Sequence, residues 1–288
     1  MNSITTKAYA KINLGLDVLR KREDGYHEVR MIMQSVDLYD TLTISKHVDG
    51  EIKLRTNLPW LPVDRRNIVY KAAELFRETL HIKDGIHITL NKRIPVAAGM
   101  AGGSSDAAAT LKGLNQLFRS GLSDAELKKL GVTLGADVPY CIQLGTVLSE
   151  GIGEILSPLR PMPDCHLLLV KPDISVSTKY VYEHLKLSGG VTHPDIPGML
   201  AAIEQGNLYQ LSSRMDNILQ TVTIKEYPII DEIKELMRAH GALTSLMSGS
   251  GPTVFAVYDS LPAAKAAYQY FLQSGHGKMV HLTKPYRP

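Results

Sequence analysis

The chain holds 288 residues, 44% apolar and 21% charged, the balance of a globular protein rather than a disordered or fibrous one. Its net charge of +3 is too small to mark a nucleic-acid binder and suits a small anionic substrate. No apolar run approaches a membrane span, and Met1-Asn-Ser-Ile-Thr-Thr lacks the apolar core of a signal peptide, so a cytoplasmic protein without membrane or nucleic-acid partners is expected.

Residues 3–45 read as strands. Ile12–Leu19 alternates, Arg22-Glu-Asp-Gly25 turns, and Val29–Val36 returns as the partner. A helix is expected over Asn67–Leu80, with Ile68, Ala72, Leu75 and Phe76 on one side, and Ile86–Leu90 alternates as a strand. A glycine-rich loop follows, then a helix over 104–118. Ser123-Asp-Ala-Glu126 is a capping box opening another helix. Leu144–Glu150 reads as a strand. Ser157-Pro-Leu-Arg-Pro-Met-Pro-Asp164 concentrates prolines, which suit neither helix interiors nor central strands. A domain boundary is expected there, giving 1–160 and 161–288.

The second half predicts a strand at His166–Lys171, an insertion of short helices over 177–220, and a helix at Ile229–His240. Strands at Leu243–Met247 and Thr253–Tyr258, a helix at Pro262–Gln273 and a strand at Lys278–Thr283 complete it. That order is βαββαβ, the split ferredoxin-like pattern, and the whole reads as α+β.

Pro95-Val-Ala-Ala-Gly-Met-Ala-Gly-Gly-Ser-Ser-Asp-Ala-Ala-Ala109 carries the chemistry. Glycines before a helix leave amides unpaired and clear the side chains that would block an anion. No Gly-Lys-Ser/Thr follows, no protein-kinase signature occurs, and no dinucleotide fingerprint opens the chain. Lys11 sits on a strand among small and apolar neighbours, as either an edge charge or a partly buried, paired ammonium. Asp137, between Gly135 and Pro139, reads either as a turn cap or as a carboxylate aimed into a cleft. Tyr26-His27 after the turn could stack on and hydrogen-bond a base, or be surface residues of a hairpin. Ser248-Gly-Ser-Gly-Pro252 either closes a hairpin or faces the first loop. Asp106 could support the helix start or repel phosphate. Cys141 and Cys165 read as buried free thiols, and the ten histidines show no metal-ligand spacing.

Taken in order, Lys11 in its strand, the 95–109 loop, Gly135-Ala-Asp-Val-Pro139 and the Ser248 loop resemble the GHMP kinases over essentially the whole chain. Ala10-Lys-Ile-Asn-Leu and Asp24-Gly-Tyr-His27 narrow the resemblance to a branch in non-mevalonate isoprenoid biosynthesis whose acceptor carries a cytidyl group. It implies a ribosomal-protein-S5-like N-terminal domain, a ferredoxin-like C-terminal domain, and ATP with Mg²⁺. It implies that Pro95, Val96, Ala97, Ala98, Gly99, Met100, Ala101, Gly102, Gly103, Ser104 and Ser105 wrap the phosphates, with Ser104 or Ser105 on the metal. Asn67 and Lys92 would lie at the adenosine end. Asp137 would act as base with Lys11 beside it. Tyr26 would stack on the cytosine and His27 hydrogen-bond it, Asn13 would meet the polar end of the acceptor, and Thr178 and Tyr182 would close the cytidine pocket. Acceptors such as homoserine or mevalonate, a non-catalytic nucleotide sensor and an RNA-binding module remain alternatives.

Overall fold

Long alternation makes long strands. β1 (Ser3–Lys21) and β2 (His27–His47) pair as a hairpin. Its turn closes by hydrogen bonds between Arg22 and Tyr26 and between Gly25 and Arg22. Gly25 takes φ +86°, where a side chain would strain the backbone. The computed structural model describes residues 2–188 and 191–288. The chain forms two compact units: Met1–Ala10, Leu38–Val96 and Ala101–Leu144 in one, Lys11–Asp37, Ala97–Met100 and Gly145–Pro288 in the other.

In the first unit, β3 (Ile52–Thr56) runs parallel to β4 (Gly85–Asn91). β4 in turn pairs antiparallel with the end of β2, from Thr41 opposite Asn91 to His47 opposite Gly85. α1 (Ile68–Thr79) lies between β3 and β4 in sequence and buries Val69, Ala72, Ala73 and Phe76. The Asn67 side chain caps it by accepting the amide of Val69. α2 (Gly102–Phe118) buries an alanine run, Ala107–Ala109, with Leu111, Leu114 and Leu117, and packs on α1. Each leucine so buried contributes about 1.5–3 kcal/mol. α3 (Asp124–Leu134) opens on the expected capping box, Ser123 with Glu126. The short α4 (Val138–Gln143) follows.

In the second unit, β5 (Thr146–Gly151) pairs with the first half of β2, Val29 opposite Gly151 and Gln34 opposite Thr146, and β6 (Ile155–Pro158) pairs with β5. β7 (His166–Lys171) is followed by α5 (Thr178–His184), α6 (Ile196–Glu204), α7 (Leu208–Ser212) and α8 (Gln220–Glu226). Then come α9 (Ile229–Ala239), β8 (Thr244–Met247), β9 (Val254–Tyr258), α10 (Leu261–Ser274) and β10 (Met279–Thr283). The sheet order is β10-β7-β9-β8, antiparallel throughout. The expected ferredoxin-like order is present, and the helical insertion lies between its first strand and first helix. Every residue of β9 is buried, as its unbroken apolar run requires.

The structure adds β3, β6 and α4, which the sequence reading did not contain. α2 also begins two residues before Ser104, because Ala101 rather than a serine takes the cap position, at φ +53°. β5 starts at Thr146 rather than Leu144, since Leu144 and Gly145 both have positive φ. Among the described residues no helix is long and apolar enough to cross a membrane.

Candidate active site

A chain of contacts in the second unit joins residues far apart in sequence. Lys11 is buried on β1, and its ammonium donates to Asn13 Oδ1 at 2.7 Å and to the Gly99 carbonyl at 3.3 Å. The Lys11 amide donates to Met100 O at 3.2 Å, so the loop tip is fastened to β1 by main chain as well. Ser248 Oγ donates to the same Gly99 carbonyl at 2.9 Å. Only glycine fits at 99. A Cβ there would lie 2.3 Å from the Ser248 carbonyl, and φ is +73°. Asn217, 1% exposed, donates to the carbonyls of Met247 and Gly249 at 2.8 and 2.7 Å and so holds the second glycine loop.

The same loop reaches the cytidine candidates. The hydroxyls of Ser250 and Thr178 lie 2.7 Å apart. Thr178 opens α5, and one turn later Tyr182 meets His27, ring centroids 5.1 Å apart. Burial first, and then Lys21, lower the His27 pKa below its ordinary 6.5. A neutral imidazole offers one donor and one acceptor, the pair a base edge needs. Tyr26 is 59% exposed and free to meet a flat partner. Thus Lys11, Asn13, the loop tip, Thr178, Tyr182, Tyr26 and His27 belong to one compact unit.

The first unit holds the glycine-rich start of α2. α2 has no side-chain cap and no acidic residue in its first turn, so its leading amides keep their attraction for an anion. Ser105 is buried, and its hydroxyl donates to the Tyr9 carbonyl at 2.7 Å. Ser104 is more exposed, and a Cβ placed on Gly135 would come within 3.9 Å of its oxygen. The Gly135–Asp137 turn therefore borders Ser104. Asp137 is half-buried at the N-terminal end of α4, and its side chain makes no cap bond to that helix.

Behind this helix start lies a buried ionic cluster. The Lys92 ammonium bonds Asp40 and, at 2.7 Å, Asp106 Oδ2. Asp40 also accepts the amides of Arg93 and, at 2.8 Å, Ile94. Burial, against the pull of Lys92, holds the Asp106 carboxyl well above the usual carboxylate range, with Asp40 adding to the rise. Asp106 thus turns inward to Lys92. Lys92 and Asn67, expected near adenosine, have protein partners for their polar atoms. Lys92 N and O exchange hydrogen bonds with Asn57, and Asn67 donates to Pro62 O and accepts from Val69 N. Sequence reading missed Asp40 and Asn217, whereas the Ser248 loop meets the first glycine loop, one of the two readings offered for it. A signal existed for Asp40, which falls in phase with the buried Leu38, Leu42 and Ile44 of β2.

Residues 67–145 match the GHMP kinases N terminal domain and residues 199–277 the GHMP kinases C terminal domain. Over 284 residues the chain is 57% identical to the 4-diphosphocytidyl-2-C-methyl-D-erythritol kinase of Lachnoclostridium phytofermentans, covering 99% of this chain and 98% of that protein. The enzyme of the same name from Lachnospira eligens is 50% identical over the full length of both. A crystal structure of 4-(cytidine 5'-diphospho)-2C-methyl-D-erythritol kinase superposes with a TM-score of 0.84 at 31% identity, covering 99% of this chain and 100% of that one.

Proposed function

This chain belongs to the GHMP kinase family, and from that premise we propose that it transfers the γ-phosphoryl group of ATP to the 2-hydroxyl of 4-diphosphocytidyl-2-C-methyl-D-erythritol, in non-mevalonate isoprenoid biosynthesis. One observation in the structure supports the acceptor: the adjacent rings of His27 and Tyr182, suited to reading a base, lie in the same compact unit as Lys11 and the tip of the glycine loop. Homoserine and mevalonate have no base for such a pair to read. A nucleotide sensor would need neither the buried Lys11 nor a carboxylate at Asp137.

Phosphoryl transfer asks little covalent work of a protein and much alignment and charge neutralisation. The uncapped start of α2, with the glycines from Gly99 to Gly103 before and within it, binds the phosphates by main-chain amides. Pro95, Val96, Ala97, Ala98, Met100 and Ala101 shape that loop. Asn67 and Lys92 support the adenosine end by holding the 57–67 segment and the close of β4. The Ser104 hydroxyl suits Mg²⁺, which takes one or two protein oxygens and fills its shell with phosphate and water. Mg²⁺, when bound, neutralises charge on the β- and γ-phosphates. Ser105, engaged with Tyr9, serves the loop instead.

Asp137 accepts the proton of the attacking hydroxyl, and Lys11 with Asn13 steadies charge at the acceptor. Tyr26 stacks on the cytosine, His27 hydrogen-bonds it, and Thr178 and Tyr182 close the pocket. The division into 1–160 and 161–288, with ATP binding and catalysis in the first, belongs to the same reading. So does a cytoplasmic location, supported by two buried cysteines that form no disulfide, of which burial pushes the Cys165 thiol up to about 12. Steady-state assay of ADP release with the cytidyl alcohol, homoserine and mevalonate tests the acceptor. Specificity for the cytidyl alcohol supports the proposal, and a preference for either of the others overturns it.

A further inference from the structure

We infer that His47, Asp49 and His87 form a surface site for a borderline divalent cation of the zinc, copper or nickel class, separate from the residues assigned to phosphoryl transfer. The sheet brings them together. Ser45 lies opposite His87 and His47 opposite Gly85, so the two histidines are diagonal neighbours on one face of the β2–β4 ladder. Their rings lie 3.5 Å apart between centroids and 14° from parallel.

Asp49 follows in the turn after β2. Its Oδ1 accepts the Glu51 amide at 3.2 Å, and its Oδ2 lies 2.9 Å from His87 Nε2. Gly85 makes room for it, since a Cβ there would sit 2.2 Å from Asp49 Oδ1. One ligand atom from each of the three side chains lies within 4.8 Å of the others. Metal–nitrogen bonds of about 2.0–2.1 Å in a tetrahedron separate ligand atoms by roughly 3.3 Å. Modest rotation of these side chains closes that gap.

The donor set decides the class of ion. Two imidazoles and a carboxylate suit zinc, copper and nickel, whereas magnesium and calcium prefer oxygen alone. Lys53 and the Glu51 amide both donate to the Asp49 carboxylate and hold it in place. Lys53 Nζ already occupies part of the place, 2.7 Å from Asp49 and 2.9 Å from Glu51. It is half exposed on a flexible stem and can swing out. Lys53 is therefore a competitor whose removal tightens the site.

Titration calorimetry with Zn²⁺ alone, on the full chain without nucleotide, tests this. One saturable site per chain is expected. His87→Gln and His47→Gln should each weaken it by at least ~10-fold, the lesser loss that removing even a supporting hydrogen bond brings. Lys53→Met should strengthen it. Cu²⁺ in place of Zn²⁺ should show coupling to two nitrogens by electron paramagnetic resonance, and to one in either histidine variant. Phosphorylation of the cytidyl alcohol should be unchanged in all three variants, so failure here and failure of the kinase assignment are distinguishable. No saturable binding, or binding that survives both histidine replacements, overturns the inference.

Discussion

Methionine at position 92 would keep most of the lysine's length and remove its charge, and the surroundings set the cost. Lys92 is 7% exposed, Asp106 2% and Asp40 0%. Asp40 cannot turn away, because it also receives the amides of Arg93 and Ile94. Burial opposes the Lys92 ammonium, but Asp106 and Asp40 outweigh it and raise its pKa. Losing Lys92 takes away the cation that both buried carboxyls bond. Removing one member of a buried pair costs about 3–5 kcal/mol. At about 2–4 °C per kcal/mol, Lys92→Met should melt roughly 6–20 °C below the parent at pH 7. Asp106→Asn copies the shape of a protonated carboxyl and should cost less than ~1 kcal/mol. The native protein holds a proton on Asp106 that the unfolded chain releases above 3.8. Native stability therefore falls as pH rises from there toward the raised native pKa, and Asp106→Asn should flatten that decline. Scanning calorimetry of the three proteins between about pH 4 and 7 reads both effects. Lys92→Met melting with the parent, or Asp106→Asn losing as much as Lys92→Met, would refute the reasoning.

His27→Ala should raise KM for the cytidyl alcohol by the worth of one or two buried hydrogen bonds, about 1–3 kcal/mol, with a smaller fall in kcat. Equal losses in both would point to a role in the chemical step. Since the His27 pKa lies below 6.5, that KM should hold steady above this pH and rise below it. Gly99→Ala forces a methyl toward the Ser248 carbonyl at positive φ, so stability should fall by roughly 1–3 kcal/mol and KM for ATP should rise. Unchanged melting and KM would show that the pinned loop tip is not needed. Ser104→Ala should raise the Mg²⁺ concentration needed for half-maximal rate, while Ser105→Ala should leave it unchanged. The reverse pattern in a magnesium titration would exchange the roles of the two serines.

Local patterns were readable because local physics decides them. The capping box at Ser123, the alternation of β1 and β2 and the βαββαβ order each rest on neighbours in sequence. β3 was missed because Glu51-Ile-Lys-Leu-Arg-Thr56 is a short alternating run whose partner, β4, lies beyond α1. α4 was hidden by Pro139, read as a turn residue although proline also suits the first turn of a helix. At the candidate site, the unusual Lys11 and the glycine loop stood out by residue type. The Lys92 cluster did not, since its carboxylates lie 52 and 14 positions away. The His47–His87 pair escaped for the same reason: strand register, not spacing, unites it.

The most direct measurement is phosphorus-31 NMR of the purified chain mixed with ATP, Mg²⁺ and 4-diphosphocytidyl-2-C-methyl-D-erythritol, run beside Asp137→Asn. The account predicts a new phosphomonoester signal growing in step with ADP, and a rate lower by roughly 10²–10⁴ in the variant. No phosphomonoester from this alcohol, or a variant as fast as its parent, would contradict it.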